Sequence, residues 1–132
     1  MSKTHAHTIT YTMAPDTEDT QTNAVSVTKT ADNANNLSVA VADSATDDQH
    51  TYDIDVSLVE SIYWVSDQTV TIETNDGTTP AQTITLTANQ PLVWHDTMVF
   101  SNPLTVDITD VFVTNNSGST ANVKLYTLLN SA

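Results

Sequence analysis

The sequence predicts an all-β fold, a β-sandwich or jelly roll built from short antiparallel strands. Apolar residues alternate with Thr, Ser and Asp at every second position along most of the chain, which is the side-chain period of a half-buried strand. Polar stretches containing Asn, Asp, Gly or Pro interrupt this alternation repeatedly. No stretch combines helical spacing of apolar residues with capping residues. About ten short strands separated by polar turns are typical of a sandwich or a jelly roll.

Length and composition narrow the possible functions. The 132 residues fit one domain, residues 1–132, and the net charge of -13 comes from 16 acidic residues against three Lys and no Arg. Such a charge repels phosphates and anionic lipids, so we expect neither nucleic acid nor membrane as a partner. The chain has no cysteine, which excludes disulfides and thiol chemistry. Its first residues lack the apolar segment of a secretory signal, so we expect synthesis in a cytoplasm.

The middle of the chain, residues 60–96, predicts four consecutive strands, of which the second and third alternate most clearly. Asn75-Asp76-Gly77 is a turn sequence, and Pro91 marks the entry to the fourth strand. The four predicted strands are Ser61–Asp67, Thr69–Thr74, Gln82–Leu86 and Leu92–His95.

The N-terminal part leaves two alternatives open. Ile9, Tyr11 and Met13 alternate with threonines, which predicts a strand, and the polar run 16–23 predicts an exposed loop after it. Residues 1–23 either form an extended arm that pairs with a neighbouring molecule or supply a strand that completes their own sandwich.

The following segments predict further strands. Residues 25–28 and Leu37–Val41 are expected to pair as a hairpin, and an acidic loop, 43–50, leads into one strand from Tyr52 to Leu58. Further on, the apolar residues change from even to odd positions, which predicts a bulge near Thr109-Asp110. Asn115–Gly118 is predicted to be a hairpin turn in which Gly adopts positive φ.

No residue pattern in the chain predicts catalysis. His95 next to Asp96 resembles an oriented imidazole, but the only glycines are Gly77 and Gly118, so no nucleophile elbow exists. We therefore expect no catalytic residues and no enzyme.

Two groups of residues suggest metal binding, and each has a simpler interpretation. His5 and His7 fall on one side of an extended strand, as metal ligands do, but they also fit a solvated segment leading into a strand. Carboxylate pairs such as Asp53 with Asp55, or Asp107 with Asp110, lack the spacing of a calcium loop. We expect neither a metal nor a cofactor.

Aromatic residues suggest a sugar-binding platform. Trp64, Trp94, Tyr63 and Tyr126 offer large flat faces of the kind that stack on sugar rings. The competing interpretation, which we favour, is that Trp64 and Trp94 fill the core of the sandwich.

Several segments between about Val59 and Leu129 resemble small β-sandwich structural proteins of tailed-phage virions, some of which are capsid decoration, or cement, proteins. The segments that carry the resemblance are Ser61–Asp67, Val70–Asn75, Leu86 with Pro91–Trp94, Val111–Asn115 and the final aliphatic strand.

The resemblance implies a structural role in a virion. A protein of this kind sits as an oligomer, expected for this chain to be a homotrimer, on the outer surface of the capsid, where it contacts the major capsid protein and stabilises the shell. The residues expected to make these contacts are Ile9, Tyr11, Met13, Met98 and Phe100. The alternative is a carbohydrate-binding or receptor-binding module of a phage tail or fibre.

Overall fold

The computed structural model describes residues 2–14 and 19–131, and in these ranges it contains ten β-strands, one 3₁₀ turn and no α-helix. The strands are β1 (Lys3–Met13), β2 (Gln21–Ala31), β3 (Asn33–Val41), β4 (Asp48–Ile54), β5 (Val59–Ser66), β6 (Val70–Thr74), β7 (Gln82–Leu86), β8 (Leu92–His95), β9 (Ile108–Thr114) and β10 (Ala121–Leu129). The predicted all-β class is confirmed, as are the four strands within residues 60–96.

Strands β3 to β10 form two four-stranded antiparallel sheets. Sheet 1 has the order β3-β10-β5-β8 and sheet 2 the order β4-β9-β6-β7. Except for the β6-β7 hairpin, each step along the chain from β3 to β10 crosses from one sheet to the other. Eight strands arranged in this way form a jelly roll.

The alternation of apolar and polar residues places one apolar face of each sheet in a shared core. Ile62 and Trp64 of β5 face this core, as do Val123 and Leu125 of β10, while Ile72 of β6 reaches it from the opposite sheet. Their neighbours in the strands point outward, which is the period of two that the sequence showed. The core residues are fully buried, so their burial is the main source of stability of the sandwich.

A buried hydrogen-bond network joins the two sheets. The Tyr52 hydroxyl on β4 lies 2.7 Å from Thr127 Oγ1 on β10, and it donates to the Leu125 carbonyl at 3.0 Å. Trp64 Nε1 donates to Thr127 Oγ1 at 3.0 Å. Burial raises the pKa of Tyr52, so the hydroxyl stays protonated.

Both tryptophans belong to the core, as favoured from the sequence. Trp64 is fully buried, and Trp94 is buried with its Nε1 donating to the Phe100 carbonyl at 2.9 Å. Neither ring is available to stack on a sugar.

One predicted strand pairing and one predicted strand length are wrong. The strand around Val25 and Val27 does not pair with β3: β2 pairs with β1 over its whole length, whereas β3 pairs with β10. The predicted strand Tyr52–Leu58 ends at Ile54, because Asp55 accepts a hydrogen bond from the Ser57 N–H and starts a 3₁₀ turn. The alternation of apolar and polar residues continues from β4 through that turn, so the sequence period alone does not show where the strand ends and the turn begins.

The boundaries of two loops also differ from the prediction. The acidic loop is shorter than 43–50, since β4 begins at Asp48. The polar run 16–23 ends earlier as well, because residues 21–23 belong to β2, and residues 15–18 lie outside the described part of the chain.

The bulge predicted near Thr109-Asp110 is present, but its extra residue lies on β4 and not on β9. Thr51 pairs with Asp110 and Ile54 pairs with Ile108, so two residues of β4 oppose one residue of β9.

The turn after β9 has the predicted backbone but not the predicted role. Gly118 has φ +91, as expected. However, the turn is not a hairpin, because it joins β9 of sheet 2 to β10 of sheet 1.

Candidate functional site

Strands β1 and β2 form a separate two-stranded sheet, which we call the hairpin. The register runs without interruption from Lys3 paired with Ala31 to Met13 paired with Gln21. Neither strand belongs to a sheet of the sandwich. The N-terminal strand therefore does not complete its own sandwich. Within the predicted arm of residues 1–23, Lys3–Met13 and residues 21–23 belong to the two strands of a hairpin that extends to Ala31.

One end of the hairpin packs on the outer face of sheet 1. We call its residues His5, His7, Lys29 and Ala31 the root. Beneath the root lies a row of cross-strand neighbours: Leu128 of β10 pairs with Ser61 of β5, and Ser61 pairs with His95 of β8. This row faces outward because the adjacent residues of β5 face the core.

Ser61 is the hydrogen-bonding centre of the contact. Its Oγ lies 2.9 Å from His5 Nδ1 and 2.6 Å from His7 Nε2, and it is fully buried. The His7 ring also lies 5.5 Å from the His95 ring, centroid to centroid. Loss of water lowers the pKa of both His5 and His7, and the neighbouring His95 lowers the pKa of His7 further. The cluster is therefore adapted to neutral imidazoles.

An ion pair fixes the second strand of the hairpin to the sandwich. Lys29 Nζ lies 2.5 Å from Asp96 Oδ1 and 3.6 Å from Glu60 Oε2. The hydrogen bond to Asp96 raises the pKa of Lys29 and lowers that of Asp96. Both groups stay charged over the neutral range.

Two buried apolar residues lie in the elements that meet at the root. Ala31 of the root and Leu128 of β10 are both buried, yet neither belongs to the core between the sheets. Leu128 is on the outer face of sheet 1, so its burial is consistent with cover from the root, which contacts β10 and β5.

The structure corrects the expectation for the first two histidines. His5 and His7 are not a solvated segment, because they lie within β1 and bond to Ser61. Within residues 2–14 and 19–131, no group of three or more His, Asp or Glu is placed to hold a metal ion. His95 Nδ1 lies 2.8 Å from Thr97 Oγ1, while Asp96 faces Lys29, so the carboxylate does not orient the imidazole.

Beyond the root, the hairpin presents an uncovered apolar surface. We call this surface, made of Ile9, Tyr11, Met13 and Val25, the free face. Ile9 is 56% exposed, Tyr11 63% and Val25 56%. His5 and His7 have the same parity as Ile9, so the free face continues the side of the hairpin that packs at the root. Three of these four residues are contact residues predicted from the sequence.

The opposite face of the hairpin is polar. It carries Thr8, Thr10 and Thr12 on β1, and Thr8 Oγ1 lies 3.0 Å from Ser26 Oγ on β2. The hairpin is thus amphipathic, with only the apolar side of its root covered.

The strand segments of the hairpin beyond the root are also uncharged. Neither 8–13 nor 21–28 contains an acidic or basic residue, whereas all but three of the 16 acidic residues lie from Asp32 onward. Depletion of charge together with exposed aromatic and Met side chains is typical of the centre of a protein interface.

A second exposed apolar patch lies in the loop between β8 and β9. Met98 is half-buried against the core, so the side chain predicted as a contact residue has a structural role. Phe100 is exposed, as the contact prediction requires, and Val99 beside it is fully exposed. Sequence reasoning missed Val99, because three successive apolar residues in a loop give no period that identifies the outer one.

One pair of aromatic residues remains at the surface. The rings of Tyr63 and Tyr126 lie 6.5 Å apart on the outer face of sheet 1, inclined by 31°. They line a groove of about 280 Å³ together with His5 and residues beside it on β1.

Comparison of the chain with protein-family models, curated proteins and solved structures found no match. Among the described residues, no helix is long and apolar enough to span a membrane.

Proposed function

We propose that this protein is a non-enzymatic structural protein of a phage virion, which decorates the outer surface of the capsid and stabilises the shell. The observation that carries the proposal is the free face, an apolar surface on a hairpin that has packed only its root. The proposed partner is the major capsid protein, and the hairpin is the element through which the protein assembles.

The physical argument starts from the stability of a hairpin. A two-stranded sheet is at best marginally stable in water, and this one extends well past its contact with the sandwich. Covering Ile9, Tyr11 and Val25 removes apolar surface from water and stabilises the covered state. A protein that binds only the assembled shell stabilises that shell by mass action, and several weak contacts add through multivalency.

The charge of the sandwich supports an external position. A net charge of -13 keeps the protein away from packaged DNA, while the uncharged part of the hairpin makes contact without like-charge repulsion. The jelly roll is shared by viral capsid and lectin domains, so the fold by itself does not choose between a capsid role and carbohydrate binding.

The test is the amount of protein on purified particles of the phage that encodes it. The triple variant Ile9→Thr, Tyr11→Thr, Val25→Thr makes the free face polar and keeps residues that favour strands. We expect wild-type particles to contain the protein and variant particles to contain much less. A control with Thr8→Ser and Thr10→Ser, on the opposite face, should keep wild-type occupancy.

Particles that never contain the protein would refute the virion role. Equal occupancy of the wild type and the triple variant would refute the role of the hairpin in assembly.

The second candidate is a carbohydrate-binding module, and the observation that favours it is the exposed Tyr63–Tyr126 pair beside a groove. Binding to a glycan array that is lost in Tyr63→Ala with Tyr126→Ala, but kept in the free-face variant, would support this function instead.

A further inference from the structure

We infer that the buried hydroxyl of Ser61 makes the root a two-proton switch, which holds the hairpin on sheet 1 while His5 or His7 is neutral and releases it when both are charged. The inference goes beyond the proposed function and does not depend on it, because it concerns only contacts within one chain. It assigns a pH-controlled position to the hairpin.

The hydrogen bonds of Ser61 require its two imidazole partners to play different roles. Among the described residues, its Oγ has no partner besides His5 Nδ1 at 2.9 Å and His7 Nε2 at 2.6 Å. A serine hydroxyl carries one proton, which it can donate to one ring only. The other ring must therefore donate its own N–H to Oγ, and one unprotonated ring nitrogen is needed to accept the hydroxyl proton.

The two distances assign these roles. Hydrogen bonds donated by a hydroxyl are shorter than those donated by an N–H group, whose usual length is about 2.9–3.0 Å. The shorter contact therefore has Ser61 donating to His7 Nε2, and the longer one has His5 Nδ1 donating to Ser61 Oγ. In both rings the single proton of the neutral form is then on Nδ1.

One proton can be added without the loss of a hydrogen bond. His5 takes it up on Nε2, which is not the atom that faces Ser61, so both bonds to Oγ remain. His7 can be charged alone only if the arrangement reverses and His5 Nδ1 becomes the acceptor. Loss of water lowers the pKa of both rings, and the neighbouring imidazoles of His95 and His5 lower that of His7 further. We therefore expect His5 to be protonated first.

A second proton breaks the contact. With both rings charged, two N–H groups point at Oγ, and the fully buried hydroxyl of Ser61 keeps a proton that has neither an acceptor nor water. The charged rings also repel each other, since the ring centroids of His5 and His7 lie 6.1 Å apart. His95 places a third imidazole at the same spot, with its centroid 5.5 Å from that of His7.

The other ionisable groups around the root do not replace the lost acceptor. The carboxylates of Glu60 and Asp96 face Lys29, which offsets one of their two charges. The remaining negative charge attracts charged imidazoles, but the central hydroxyl is bonded to the two rings and to neither carboxylate. Two phenols, those of Tyr63 on β5 and Tyr126 on β10, line the groove beside the histidines.

Release moves the hairpin as a unit. The pairing of β1 with β2 over its whole length involves neither Ser61 nor the imidazole nitrogens, so the two strands stay together. Only Asp32 separates β2 from β3, so the freed hairpin pivots about this residue, with the ion pair of Lys29 as its remaining tie to the sandwich. The free face is then held in one direction at neutral pH and in no fixed direction in acid.

Heteronuclear NMR of the histidine rings in the full chain tests the shared hydroxyl without any substitution. At pH 8 we expect both His5 and His7 to carry their proton on Nδ1, which the couplings between ring nitrogens and ring hydrogens show directly. Rings with different tautomers, or two rings protonated on Nε2, would overturn the assignment.

The same spectra, followed from pH 8 to pH 4, test the order of events. We expect the ring of His5 to titrate first with little change in the backbone amides of β1, and these amides to shift when His7 titrates. The amides of β5 and β10 report that the sandwich stays folded. Amides of β1 that follow His5, or that stay unchanged after both rings are charged, would overturn the inference.

Single substitutions separate a two-proton switch from a one-proton switch. His5→Asn and His7→Gln each replace an imidazole by an uncharged amide, which can donate to Ser61 Oγ or accept from it. Neither variant can place two charges beside the hydroxyl, so both should keep the hairpin attached at pH 4, where the wild type releases it. His50→Gln, on β4, should release the hairpin as the wild type does. Release in either of the first two variants would overturn the inference.

Discussion

The sandwich and the hairpin share one sequence pattern, the alternation of apolar and polar residues. The apolar side chains are buried in the sandwich and mostly exposed in the hairpin. Both consist of antiparallel strands in which apolar residues alternate with Thr, Ser or Asn. In the sandwich, two sheets face each other, and side chains such as Trp64 and Ile72 are completely buried. In the hairpin there is one narrow sheet, and Ile9 and Tyr11 remain mostly in water. Alternation thus marks a face that can be buried, but a second layer is needed to bury it.

The two regions therefore contribute differently to the stability of the folded chain. Side chains in the sandwich decide whether the protein folds, whereas those of the free face remain mostly in water and add little to its folding. The root connects the two regions through the hydrogen bonds of His5 and His7 to Ser61 and the ion pair of Lys29 with Asp96, so these contacts set how firmly the hairpin is held.

The largest effect should come from the core. We expect Trp64→Ala to lower the free energy of unfolding by about 3–5 kcal/mol, because it leaves a cavity and removes the donor to Thr127. Tyr11→Ala, an aromatic truncation on the free face, should change it by less than about 0.5 kcal/mol. Urea unfolding at low protein concentration measures both. Similar losses in the two variants would break the contrast between the regions.

A smaller effect is expected from the network between the sheets. Tyr52→Phe keeps the buried ring but removes the hydroxyl from Thr127 Oγ1 and the Leu125 carbonyl, and we expect a loss of about 1–3 kcal/mol. Tyr126→Phe, on the outer face, is the matched control and should be nearly neutral. Equal stabilities of the two variants in urea unfolding would show that the network does not hold the sheets together.

Acid should loosen the root before it affects the sandwich. The pKa values of His5 and His7 lie below their ordinary value of 6.5 in the packed state, so the detached hairpin binds more protons than the packed one. Attachment is therefore fully favourable above about pH 6.5 and weakens as pH falls below it. The ion pair persists in this range, because Lys29 lowers the pKa of Asp96.

NMR signals of β1 backbone amides, followed from pH 8 to pH 5, should report this loosening. The variant His5→Gln with His7→Gln should remove the pH dependence, while His50→Gln, on β4, should not. Tighter attachment at low pH would contradict the expected direction of the effect.

The smallest effect is expected from the ion pair at the root. Lys29→Gln removes the charge that faces Asp96 and Glu60, so the hairpin should open more often while the sandwich keeps its stability. Hydrogen exchange of β2 amides measures the opening, and added salt should reduce the difference between the variant and the wild type. Loss of stability in the sandwich would show that root and core are coupled.

Much of this fold can be predicted from the sequence because the strands are short and regular. The period of two locates β6 and β7, and the preference for Trp64 and Trp94 in the core is confirmed. It predicts the exposed side of β1 as well, since Ile9, Tyr11 and Met13 share one parity. Strand pairing cannot be predicted in this way, because the local pattern of Val25 and Val27 fits a strand beside β1 as well as one beside β3.

The root could have been found only in part. His5 and His7 have the parity of Ile9, and that signal places them on the apolar side of β1. Nothing local indicates Ser61 as their partner, because 54 residues separate it from His7. The fold alone brings Leu128, Ser61 and His95 into one row across three strands.

By itself, the sequence determined the all-β class, most of the strands and the side of each strand that avoids water, because those follow from where apolar side chains stand along an extended backbone. Tertiary structure decided which strands pair, that eight of them close into a jelly roll, and that β1 and β2 stay outside it. The physical reason is that alternation acts within one strand, whereas pairing depends on how all the apolar faces can be covered together. Within one copy of this chain, the free face of the hairpin remains exposed to water.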